Sequence, residues 1–253
     1  MIEVTQFHFS KADFAGMPPK ERTLIFLAGQ TVNQVNIWLK LIRLSSSFES
    51  ASEVENKLSA AQSHVLLRAL FGTLHEAWVW QTRRDMGPLI ASYLPKLSVD
   101  SQTARRALSK HLGNGGTMDA LRNGYSFHSP TTTMLDEAFA AMPDDENWSW
   151  YVTDEHSSTL MLSCETVLGY GVAGEGRGVN LNDGFGNILS EVIGVANAMN
   201  KFITELLAVA LGSNLPTTPR QSAIMIEHAP QLKDAVLPFY IEGIRLNEAF
   251  TVG

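Results

Sequence analysis

Apolar residues recur along this chain at helical intervals. The cleanest run is Ile188, Val192, Val195, Met199, Phe202, Leu206 and Val209, separated alternately by four and three positions. Because about 3.6 residues complete a turn, that spacing puts all seven on one face of an amphipathic helix. A second stripe, Leu24, Ala28, Thr31 or Val32, Val35, Leu39 and Ile42, predicts a helix over 19–45, with Pro18 and Pro19 suited to its start. Val54, Leu58, Ala61, Val65, Leu70, Leu74 and Trp78 predict another over 52–84, an antiparallel neighbour of the first.

Gly87-Pro88 and Pro95 leave room for a short helix or turn at 89–94. Residues 101–112 read as a helix with Asp100 or Ser101 as N-cap and Gly113 as stop. Thr133 and Asp136 resemble a capping box opening a helix over 134–142. Between 148 and 168, β-branched and aromatic residues flank a polar turn, which fits a small hairpin, or a strand followed by a helix. Leu232, Val236, Phe239 and Leu246 lie at helical spacing interrupted by Pro230 and Pro238. No repeat or linker divides the chain. The expected fold is all-α: one helical domain over 1–253, a bundle of long antiparallel helices with a small β-hairpin or irregular insertion around 148–168, and a C-terminal helical extension over about 215–253.

Composition narrows this picture. The 253 residues are 45% hydrophobic, enough to bury a core without staples, and Cys164 is the only cysteine, so no intramolecular disulfide or thiolate metal cluster can form. The N-terminus lacks the basic start and apolar run of a secretory signal, and a cytoplasmic location is expected. The most apolar stretch, 188–211, carries Glu191, Lys201 and Glu205, so it is expected in a protein core and not in a membrane. The net charge of −7 speaks against coating nucleic acid by bulk electrostatics. Residues 80–128 nevertheless carry +4.

One short segment carries chemistry: Arg122, Asn123, Gly124, Tyr125, Ser126, Phe127 and His128. An arginine followed by a polar residue, with a histidine a few positions on, resembles the signature of the HEPN superfamily of helical-bundle proteins, many of them metal-independent ribonucleases. The surroundings are similar too: Phe127-His128 is followed by a turn at Ser129-Pro130 and by an apolar pattern through Leu135 and Phe139. The resemblance spans about residues 118–151, and within it the HEPN-like core would be 19–212. It implies a homodimer with a composite site acting on RNA, without cofactor or metal, in a toxin or phage-defence setting with an antitoxin or other protein partner.

The residue types suit RNA cleavage. Arg122 can neutralise phosphate oxygens with its bidentate fork, His128 has the side chain that exchanges a proton near neutral pH, and Asn123 can orient either one. Cleavage needs an acid and a base, and one motif supplies one histidine, which two copies facing each other would double. On an undistorted helix, six residues turn through about 600°, leaving Arg122 and His128 roughly 120° apart, so a shared site requires a break, which Gly124 makes possible. Arg83, Arg84, Arg105 and Arg106 precede the motif and are candidates for a phosphate track, or for an ordinary solvated face. His64, Arg68 and His75, with Glu76 beside them, form a polar stripe on the second helix, expected as its wet side and lacking the close partner a metal ligand set needs.

Alternatively, Arg122 caps helix carbonyls and His128 is a turn histidine. The protein would then be a non-catalytic helical module that binds a nucleotide, a phosphate or a protein partner. The glycine-rich stretch 169–174 formally matches a dinucleotide fingerprint without its strand and helix, and reads as a loop that could serve as a lid. Trp148, Trp150 and Tyr151 are candidates for base stacking, or for core or hairpin packing.

Overall fold

The computed structural model describes residues 1–46, 50–113, 118, 121–126, 128–146, 148–152, 159–175, 181–215, 218–231 and 234–239. Its elements run β1 (Ile2–His8), α1 (Lys11–Ala15), α2 (Pro19–Ser46), α3 (Glu53–Thr82), α4 (Gly87–Tyr93), a 3₁₀ turn (Leu94–Lys96), α5 (Val99–Leu112), a π-helical turn (Arg122–Ser126), α6 (Thr132–Ala140), α7 (Leu162–Glu175), α8 (Leu181–Asn214) and β2 (Arg220–Ile226). The fold is all-α with a small β element.

The helix α8 is the axis of the bundle. Ile188, Val192, Met199, Phe202 and Leu206 are fully buried, and α2, α5 and α7 all pack on it. Residues Gly186–Asn214 are long and apolar enough to cross a membrane by length and composition alone. The three ionisable groups in that stretch have partners on neighbouring elements. The Glu205 carboxylate accepts from the Ser98 backbone N–H and hydroxyl at 2.6 Å each and from the Ser101 hydroxyl, which holds it below the usual carboxylate range. Lys201 pairs with Asp100 at 2.6 Å, and Glu191 meets His111 at 2.8 Å.

The serine at the start of α5 is therefore used twice. The N-cap is Ser98, not Asp100 or Ser101, since its hydroxyl accepts from the Ser101 N–H while also donating to Glu205. Asp100 is instead taken by Lys201. The cap of α6 likewise falls earlier than the capping-box pattern suggests, with the Thr131 hydroxyl accepting from the Met134 N–H.

Helices α2 and α3 follow the apolar stripes with one correction. In α2, Leu24, Ala28, Thr31, Val35 and Ile42 are buried as spaced. In α3, Val54 and Val65 are exposed, and the buried face runs through Leu58, Ala61, Leu67, Leu70, Phe71, Leu74 and Trp78. Near the α2–α3 connection, serines take the place of larger apolar residues. Ser59 donates to the Ser45 carbonyl (2.8 Å), Ser45 to the Ser59 carbonyl (3.2 Å) and Ser63 to the Ser45 hydroxyl (2.9 Å), so buried polar atoms satisfy each other across the crossing.

Among the described residues, the insertion around 148–168 holds an antiparallel bridge, Tyr151 with Leu160, and then enters α7 at Leu162, as the irregular or strand-then-helix reading expects. Two other expectations change. The glycine-rich stretch 169–174 is helical, not a loop or lid, and within it Gly171 admits a close neighbour: an added Cβ there would sit 2.5 Å from the Tyr125 ring. Where a helical extension from about 215 is expected, residues 220–226 form β2, paired antiparallel with β1 from Ile2 opposite Ile226 to His8 opposite Arg220. Val236 and Phe239 belong to no helix; Leu237 donates to the Leu44 carbonyl and accepts from Gln62. Leu232 and Leu246 lie outside the described residues.

Candidate functional site

The segment from Arg122 to His128 leaves helical geometry within itself. Residues Arg122–Ser126 form a π-helical turn, Phe127 lies outside the described residues, and His128 sits at a bend ahead of Ser129 and Pro130. A π turn widens the helix by one residue and is a recurrent feature of functional sites. The chain therefore does not run from Arg122 to His128 as an undistorted α-helix. The side chains of Arg122 and Asn123 lie outside the described residues, and His128 is exposed.

Among the described residues, contacts from α3, α6 and α7 hold the turn. The Ser126 hydroxyl donates to the Arg68 backbone carbonyl of α3 at 2.6 Å. Tyr125 is 7% exposed and its ring lies on Gly171 of α7. Gly124 is buried with the Met134 side chain of α6 where a Cβ would be, so a larger residue at 124 would have to move Met134. Leu121 and Met118, just before the turn, are fully buried and anchor its entry to the core. The turn is thus wedged between α3, α6 and α7, while the chain that leaves it carries His128 into solvent.

The polar stripe of α3 is not its wet side. The Arg68 guanidinium pairs with Glu165 of α7 at 2.8 Å, with side chains 14% and 17% exposed, and so ties together the two helices that grip the turn. One turn earlier, burial pushes the His64 imidazole down to about 4, with the Arg68 charge acting in the same direction, so this histidine is neutral at physiological pH. His75 is buried, 4.0 Å from the Glu76 carboxylate. Among the described residues, no three His, Cys, Asp or Glu side chains converge as a metal-ligand set.

The four arginines ahead of the motif separate into two kinds. Arg83, at the C-terminus of α3, is exposed and 3.3 Å from Asp85; Arg84 is exposed; Arg106 is exposed and donates to the Thr103 hydroxyl at 2.8 Å. Arg105 turns inward. Its guanidinium lies 4.2 Å from the Trp78 ring centroid and 5.2 Å from that of Phe202, and it donates to the Gln81 side-chain oxygen at 2.9 Å. Burial lowers its pKa to about 10. Such a cation–π seat is a structural position.

A cleft of ≈ 280 Å³ opens at the α2–α3 crossing, lined by Ser45, Ser59, Ser63, His64, Leu67 and Leu189 among others, none of them Lys or Arg. With His64 neutral, it offers little to a phosphate. Sequence reasoning missed Ser126, Glu165 and Gly171 as supports of the turn. Only Ser126, inside the motif, carried a local signal.

Comparison of the chain with family models, curated proteins and solved structures finds no match.

Proposed function

We propose that the protein is a metal-independent endoribonuclease of HEPN-like type that acts as a homodimer. Arg122 binds phosphate, Asn123 orients the phosphate or the imidazole, and His128 serves as general acid or base. The observation that carries this reading is the π-helical turn at Arg122–Ser126, buried on its core side and opening into an exposed His128.

In the proposed reaction, one His128 takes the proton of a ribose 2′-hydroxyl, and the 2′-oxygen attacks the adjacent phosphorus. Arg122 offsets the charge growing on the equatorial oxygens. The bond from phosphorus to the 5′-oxygen breaks, and the second copy's His128 protonates the leaving oxygen. The products are a 2′,3′-cyclic phosphate and a 5′-hydroxyl, with no metal in the balance. Arg83, Arg84 and Arg106 are exposed and suited to contact the RNA backbone, whereas Arg105 is committed to the core. A toxin or phage-defence role, with an antitoxin as partner, fits an endonuclease of this kind.

The test is cleavage of a mixed RNA pool in EDTA by the wild-type protein beside Arg122→Ala and Asn123→Ala, with the product ends analysed. The proposal expects cyclic-phosphate and 5′-hydroxyl ends from wild type, none from Arg122→Ala and fewer from Asn123→Ala. Absence of cleavage by wild type across several RNAs would overturn it and leave a binding module.

A further inference from the structure

From the last turn of α6 onward, the chain turns three large aromatic residues outward. Trp148 is 53% exposed, Trp150 65% and Phe139 58%, and the Phe139 and Trp148 rings meet at 5.7 Å. The edge is built, not frayed. The Trp150 indole N–H donates to the Ser163 hydroxyl, Ser163 N–H bonds the Ser149 carbonyl at 3.1 Å, and Tyr151 and Leu160 exchange both backbone bonds at 2.8 Å. Large aromatics held in water on an ordered scaffold mark an interaction surface more often than a packing accident.

The charge around this edge says what it fits. From 129 to 155 the sequence holds seven acids and no Lys or Arg. Asp136 lies one turn before Phe139 on the same helix, and Asp144 and Asp145 lead directly into Trp148; all three are exposed. The carbonyl end of α6 points the negative pole of that helix at the same place. Glu146 accepts from the Tyr170 hydroxyl at 3.3 Å, and Lys57 of α3, which feels the Glu146 charge, is paired with Glu53 at 2.7 Å. Nucleic acid would meet its own sign of charge here. Arginine and lysine side chains would find aromatic faces for their cations and carboxylates for their charge.

We propose that Trp148, Trp150 and Phe139, rimmed by Asp136, Asp144 and Asp145, form a docking surface for a basic polypeptide segment. The surface is independent of the chemistry assigned to Arg122 and His128, and it would operate in a nuclease or a binding module alike.

The experiment titrates full-length protein with a short peptide alternating arginine and glycine, and follows the tryptophan indole N–H signals by NMR. A glutamate–glycine peptide and a single-stranded RNA serve as comparison probes. The expected result is movement of the Trp148 and Trp150 signals with the arginine peptide alone, those of buried Trp78 and Trp80 staying in place. Trp148→Ala should weaken binding about tenfold, and Asp144→Asn combined with Asp145→Asn should flatten its salt dependence, with melting temperatures unchanged. Movement of the same two signals with RNA or with the acidic peptide overturns the proposal. So does an arginine peptide that shifts neither signal, or that binds both variants as it binds wild type.

Discussion

The seam between α5 and α8 and the segment from the π turn to Trp150 treat polar and aromatic groups in opposite ways. Along the seam, charge is closed on itself: Glu205 is held by Ser98 and Ser101, Lys201 by Asp100, Glu191 by His111, and Arg105 between two aromatic rings. Past the turn, His128, Asp136, Phe139, Asp144, Trp148 and Trp150 are all presented to solvent. One region has used its polar groups to fix the fold, and the other keeps them available. Under the proposed function, the contrast would let a seven-residue motif carry chemistry without being the weak point of the molecule. Among its described residues, Gly124, Tyr125 and Ser126 are held by Met134, Gly171 and Arg68, and His128 is exposed.

Removing the centre of the closed region should have the largest effect. Phe202→Ala empties a fully buried site on α8 that also backs Arg105, and should lower unfolding free energy by about 3–5 kcal/mol in urea titrations. A loss below about 1 kcal/mol would mean that α8 is not the axis of the core.

Next comes pH. His64 is held neutral in the fold to about 4 but protonates near 6.5 when unfolded, so the unfolded state binds the extra proton between those values. Stability is unaffected by this group above 6.5 and falls as pH drops from there toward 4, by roughly 3 kcal/mol at most. Melting curves across that window should show a shallower slope for His64→Gln than for wild type; identical slopes would remove His64 from the account.

Gly171→Ala probes the clamp. Its Cβ would press on the Tyr125 ring, which has little room to yield, and should cost about 2 kcal/mol while disturbing the turn. If the variant melts like wild type and keeps all activity in RNA cleavage, the Tyr125 contact does not hold the site.

The adjacent arginines sharpen the comparison at the smallest scale. Arg105→Ala should lower stability by about 1.5 kcal/mol through lost stacking and an unpaired Gln81, whereas Arg106→Ala should change it by less than about 0.5 kcal/mol. Under the nuclease proposal, Arg106→Ala instead weakens RNA binding and reduces its salt dependence. Filter binding and thermal melts on the two variants separate these roles.

Much of the bundle was legible because helical burial is written locally. The four-and-three spacing of 188–209 and the stripe of 24–42 need no knowledge of the rest of the chain. The parts that were not legible depend on distant partners. β1 is specified by pairing with β2 more than two hundred residues away, and Gly171 of α7 is explained by Tyr125, whose ring occupies the space its Cβ would take. The cap of α5 was misplaced by two or three residues because Glu205, not a neighbour in sequence, completes it. At the site, the need for a break between Arg122 and His128 followed from helix geometry alone, while the Ser126 bond to Arg68 and the inward turn of Arg105 are tertiary facts that no local pattern carries.

The most direct test of the central claim is the initial rate of RNA cleavage by His128→Ala, measured beside its melting temperature. Because His128 is exposed, the account predicts an unchanged melting temperature and a rate below about one hundredth of wild type. A variant that melts like wild type and cleaves as fast would contradict it.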